Sequence, residues 1–155
     1  MSQPISDKII YIPLPLPDLY SWITLVNPET NQVIPYEPAT IFVQQGQPVT
    51  VLVNWSIGNK GDKDSPLFAY AYSLYKTQNN VTTRIVPPGN SPFLHLPHTS
   101  VQKNSAVTKH FQLFDVVYQM ATFKAMLHAD VGNTVTEVDE TNNIASRTFV
   151  VRWST

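Results

Sequence analysis

The stretch Asp130–Asn143, DVGNTVTEVDETNN, gathers the side chains best suited to chemistry. Asp130, Glu137, Asp139 and Glu140 supply carboxylates, and Asn133, Asn142 and Asn143 supply amide oxygens. Calcium prefers hard oxygen donors of this kind, so the four acids are a candidate calcium ligand set. Their spacing is not that of an EF-hand loop. The competing expectation is structural. Asp and Asn close turns by hydrogen bonding to their own backbone. Val135 would then plug into the core and the carboxylates would splay into water.

Other reactive residue types are scattered. His95 and His98 stand in the loop PFLHLPH, with His110 and His128 further along. Imidazole is a common metal ligand, but a Pro-flanked loop does not align two of them as a helix would. Ser, His and acids are present without a G-x-S-x-G elbow, so nothing specifies a nucleophilic triad. Solvated carboxylates in the acidic loop would keep ordinary pKa values, unsuited to the acid step of glycoside hydrolysis. No enzyme is expected. Tyr70 and Tyr75, with Tyr36, Tyr72, Trp22 and Trp153, could instead form a platform for sugar rings. Tyr75 is the one most expected at the surface, and core packing is the competing use of such aromatics.

The elements that must position these groups read as strands. Gln47–Gly58 alternates cleanly, with Val49, Val51, Val53, Trp55 and Ile57 on one face and Thr50, Asn54 and Ser56 on the other. That period marks a half-buried antiparallel strand. Asp18–Val26, Leu67–Lys76, Thr82–Val86, Ala106–Asp115, Met120–Asp130 and Ile144–Trp153 read as further strands. In Leu67–Lys76, Phe68, Tyr70, Tyr72 and Leu74 share one face. For the last strand, two phases compete: Ala145, Thr148 and Val150, or Phe149 and Val151. Asn27–Gly46 reads as a long connection with a short hairpin near Glu29–Gln32, anchored by Tyr36 and Phe42. Residues 1–16 alternate apolar residues with prolines, which implies an extended Pro-rich arm before a domain over residues 17–155.

Composition agrees. The chain has 155 residues, a size for one domain with a full core. Thirteen prolines disfavour helices, and only 14% of residues are charged, which argues against disorder. The net charge of −1, with no basic run, argues against nucleic-acid binding. There is no cysteine, hence no disulfide framework or thiolate site. No apolar run is long enough to span a membrane, and the proline-broken N-terminus does not read as a signal peptide. The expectation is an all-β fold, an immunoglobulin-like antiparallel β-sandwich of about seven strands. Its free sheet edges predict a monomer or a weak dimer.

Four segments then align with a known pattern: Pro17-Asp18-Leu19, VTVLVNWSIGNKGD (Val49–Asp62), the aromatic strand after it, and FKAMLHADVGNTVTEVDETNN (Phe123–Asn143). Together they resemble the CARDB domain, the cell-adhesion-related domain found in bacteria. The pattern pairs an N-x-G turn, here Asn59 and Gly61, with a later V-x-E-x-x-E-x-N-N, here Val135, Glu137, Glu140, Asn142 and Asn143. Asn27–Gly46 looks like an insertion, and Tyr118-Gln119-Met120 stands where the family commonly has glycine. The resemblance implies a seven-strand sandwich with a non-enzymatic binding or spacer role, a protein or glycan partner, and relatives that are mostly extracellular.

Overall fold

In the computed structural model, residues 14–35, 37–88, 97–117 and 119–154 are described. Most of the Pro-rich arm, together with Tyr36 and His95, lies outside them. The described residues form β1 (Leu19–Asn27), β2 (Gln32–Val33), β3 (Ala39–Val43), β4 (Pro48–Asn59), β5 (Phe68–Ala69), β6 (Ala71–Gln78), β7 (Val81–Val86), β8 (His98–Thr99), β9 (Ser105–Val116), β10 (Met120–His128) and β11 (Ile144–Trp153). The fold is an all-β sandwich. One sheet has the order β2-β1-β4-β9, the other β3-β11-β10-β6-β7, and β5 and β8 form a small separate pair.

The alternation in β4 is what makes the inner layer. Val49, Val51, Val53, Trp55 and Ile57 are all buried. Across the sandwich lie Leu74 of β6, Phe123, Ala125 and Leu127 of β10, and Phe149 and Val151 of β11, also buried. Phe123 and Phe149 stack with centroids 5.0 Å apart. Burying each large apolar side chain contributes about 1.5–3 kcal/mol, and this layer is the main stabilising term. In β11 the buried phase is Phe149 and Val151.

Two expectations need correction. Asn27–Gly46 is more than a hairpin connection. Asn31, at φ 56°, closes the β1–β2 hairpin, with Val26 opposite Val33. The chain then adds β3 as an edge strand parallel to β11, from Ala39–Phe149 to Val43–Trp153. The second sheet is therefore mixed rather than purely antiparallel. Arg147 fastens this addition through the Glu37 carboxylate at 2.7 Å and the Ile34 carbonyl. Nor is Phe42 an anchor. It is 62% exposed, with Arg152 lying over its ring, and Ala39 is the residue of β3 that enters the core.

Candidate functional site

The acidic loop joins β10 to β11, at the end of the sandwich where β1 begins. Its first half is turn chemistry. Asp130 sits at φ 51°, and its carboxylate accepts hydrogen bonds from the Thr134 amide (2.9 Å), the Thr134 hydroxyl (3.1 Å) and the Val135 amide (2.9 Å). Those bonds aim Val135 inward, where it is 2% exposed. Asn133, also at positive φ, returns its amide to the Asp130 carbonyl.

The second half grips a distant segment. One Glu137 oxygen accepts from the Leu19 amide at 2.6 Å, and the other accepts from the Asn143 side-chain amide at 2.6 Å. Glu140 accepts from the Glu137 backbone amide at 2.9 Å. Asn142 and Asn143 complete the grip through their backbone: the carbonyl of Asn142 accepts from the Ser21 amide, and that of Asn143 from the Ser21 hydroxyl and the Ala129 amide. Asp139 stands apart from this work. It caps the next turn, accepting from the Thr141 amide and hydroxyl. Those bonds hold its carboxyl below the usual carboxylate range.

From the other side the same segment is held by Asn59, at the end of β4. This side chain is buried and has four partners. Its oxygen accepts from the amides of Asp18 and Gly61, both at 3.0 Å, and its nitrogen donates to the carbonyls of Lys63 (2.8 Å) and Val101 (3.0 Å). Gly61 follows because the chain passes so close here: a Cβ would run into the backbone of Leu16, Pro17 and Asp18. Asp18 and Leu19 thus offer consecutive amides, one to Asn59 and one to Glu137. The N-x-G turn and the acidic loop are two jaws of one clasp around the start of β1.

Three acids converge. Asp130, Glu137 and Glu140 each offer an oxygen, and these atoms lie within 4.8 Å of one another. Asp139, expected among the ligands, is not in this group. Beside it opens a surface pocket of about 280 Å³, lined by Asp130, Asn133, Glu140, Asn143 and His128 among others. Glu137 is buried at 7% exposure. Burial pushes its carboxyl up to about 7, the nearby Glu140 adds to the shift, and the bonds from Asn143 and Leu19 oppose it.

Among the described residues the remaining candidates do not assemble. His98 sits in β8, His110 bonds to Asn54 on the outer face of the first sheet (2.7 Å), and His128 lines the acidic pocket. Tyr70 is 3% exposed and stacks against Tyr72, so it belongs to the core and not to a binding platform. Its desolvation raises its phenol pKa, with the Tyr72 charge a smaller cause. Tyr75 is half-buried and faces the other way. It stands opposite Lys124 of β10 and Arg84 of β7, a cationic flank on the outer face of the second sheet. Trp22 stacks on Tyr20 on a different strand and sheet. Asn59 is named from sequence only as part of an N-x-G turn, and its buried role holding the start of β1 is what the sequence reading misses. The signal was present: an amide side chain closing a long alternating strand, two residues before a glycine.

No curated protein matches the chain. Among solved structures it is similar to the CARDB domain of a Pyrococcus furiosus protein, crystallised in complex with di-metal ions, at 18% identity and a TM-score of 0.48 over 97% of this chain and 100% of that one. The solution structure of that domain gives 18% identity and a TM-score of 0.48, covering 90% of this chain and 97% of that one. The N-terminal domain of PorA is more remote, at 8% identity and a TM-score of 0.31, covering 86% and 98%. The CARDB family model matches residues 27–147. That span includes the alternating strand, the N-x-G turn and the acidic loop, and the chain belongs to the CARDB family.

Proposed function

We propose that residues 17–155 form one non-catalytic interaction module of the adhesion type, with the acidic loop as its structural clasp. Family membership points to an adhesion-type role. The observation that carries the reading is how the polar side chains are spent. Asn59, Asp130 and Glu137 each hold the chain's own backbone, and the other bonds of Asp130 and Glu137 go to the neighbouring Thr134 and Asn143 side chains. A group that holds the fold in this way is a poor proton shuttle, because moving it opens the sandwich. The partner-facing surface is then a sheet face, and the outer face around Tyr75 and Lys124 fits an acidic glycan or an acidic protein segment. The test pairs a generic ester and glycoside turnover assay with a glycan array. No turnover is expected, together with binding of acidic glycans that Tyr75→Ala weakens at least tenfold. Turnover abolished by Glu137→Gln would overturn the non-catalytic reading. Absence of any glycan signal would leave the protein segment as the partner class.

A second reading is favoured by the convergence of Asp130, Glu137 and Glu140. We propose that this oxygen cluster takes a divalent cation of the calcium class, which would neutralise the crowded carboxylates. Melting curves with calcium and with chelator test it, since a ligand that binds only the folded state raises stability. The pH dependence has a definite sign. The folded Glu137 carboxyl, at about 7, holds its proton more tightly than the ordinary carboxyl at 4.5. Folding therefore takes up a proton between these values, and without cation this group's contribution falls as pH rises from 4.5 to about 7. A cation needs the ionised form, so the calcium-induced rise in melting temperature should grow across the same window. It should vanish in Glu137→Gln, and a melting temperature indifferent to calcium above pH 7 would remove the cation.

A further inference from the structure

β9 is one edge of the first sheet. Its register with β4 runs unbroken from Asn59–Ser105 to Pro48–Val116, with no bulge. SAVTKHFQLFDV contains no proline, and the guards it does carry are the two charges on its inner face, Lys109 and Asp115. Among the described residues no strand pairs with its other side, so alternate amides and carbonyls of β9 point outward. Phe114 lies 65% exposed on its outer face.

We propose that β9 pairs antiparallel with β9 of a second copy of this chain, about a two-fold axis that passes through Gln112. The charges select this register. An axis normal to the sheet keeps inner and outer faces in place, so facing residues must be of the same face. Centred on Gln112, the pairing sets Lys109 opposite the partner's Asp115, and by symmetry Asp115 opposite the partner's Lys109. Centred one residue away, on Phe111 or Leu113, it would set Lys109 against Leu113 or Val117 and Asp115 against Val107 or Phe111. Each charge would then face an apolar side chain. Asp115 already accepts from Lys76 at 3.2 Å, so the partner's Lys109 would complete a three-membered charge cluster. On the inner face Phe111 meets Leu113. On the outer face the exposed Phe114 meets His110, which Asn54 holds in place. Aromatic and opposite-charge pairs are the contacts that stabilise neighbouring strands. The result is one continuous sheet running through both copies, joined by main-chain hydrogen bonds as in strand addition.

The chain has no cysteine, so a single introduced one reports the register directly. At the axis, position 112 faces its own copy, with Cα atoms about 4.5–5.5 Å apart, inside the range of about 4.4–6.8 Å that a disulfide requires. Under mild oxidation Gln112→Cys should give a covalent dimer, and His110→Cys, four pairs out of register with itself, should not. Sedimentation velocity of the unmodified chain should show mass rising with concentration from 17.4 kDa toward twice that value. Lys109→Glu, which opposes like charges at two symmetric points, should weaken association about tenfold. A monomeric mass at every concentration would overturn the proposal, as would His110→Cys cross-linking as readily as Gln112→Cys.

Discussion

Replacing Asn59 with leucine should remove roughly 2–6 kcal/mol of folding stability, read as a shift of the urea midpoint with little change in slope. The size follows from geometry. The side chain is 1% exposed and satisfies four backbone groups from three separate segments. Leucine has similar volume but no polar atom. The amides of Asp18 and Gly61 are then left buried without partners, at about 1–3 kcal/mol each before relaxation, while the Val101 carbonyl keeps the Ser65 amide. Water can reach the exposed Lys63 carbonyl. A typical domain has only about 5–15 kcal/mol in total, so the variant should be near its folding limit. A loss below about 1 kcal/mol would mean that Asn59 is not holding the jaws of the clasp.

Val135→Asp should cost a comparable amount, roughly 3–5 kcal/mol. Val135 is 2% exposed and packs with the core cluster. A carboxylate there loses apolar contact and water together and gains no cationic partner. It also joins a region where Asp130 and Glu137 are already buried acids. Protonation would relieve the charge but leave a polar group in an apolar site. Glu137→Gln is the instructive contrast. It removes a desolvated charge and keeps an oxygen for the Leu19 amide, and the Asn143 amide can rotate to offer its own oxygen. Its cost should stay below about 1 kcal/mol without added cation. Equal, small losses for the two variants in chemical denaturation would show that the loop does not lock the fold through Val135.

How legible these features were depends on the range of the contact that makes them. β4 was legible because one face is buried and the period is two, so five apolar residues declare a side. The turn role of Asp130 was legible because its partners, Thr134 and Val135, are four and five residues away. Glu137 was not, because its partner Leu19 lies 118 residues earlier. Its neighbours in sequence could not distinguish it from Asp139, which serves a local turn at the surface. β3 was hidden for a similar reason. It follows Pro35 and Pro38, exposes Thr40 and Phe42, and pairs in parallel with a strand at the far end of the chain. Tyr70 shares its face with Phe68 and Leu74, the buried one, although its residue type also suits a binding surface. Tyrosine suits both an interior and a surface, and only the opposing sheet decides between them.

The clasp can be observed at two atoms. The Asp18 amide donates to Asn59 at 3.0 Å and the Leu19 amide to Glu137 at 2.6 Å, both residues being buried. Native-state hydrogen exchange, read residue by residue, measures whether these two bonds hold. Both amides should exchange as slowly as those in the middle of the β1–β4 ladder, opening only with the whole sandwich. Exchange at the rate of a free loop amide at either position would show that the acidic loop and the N-x-G turn do not grip β1.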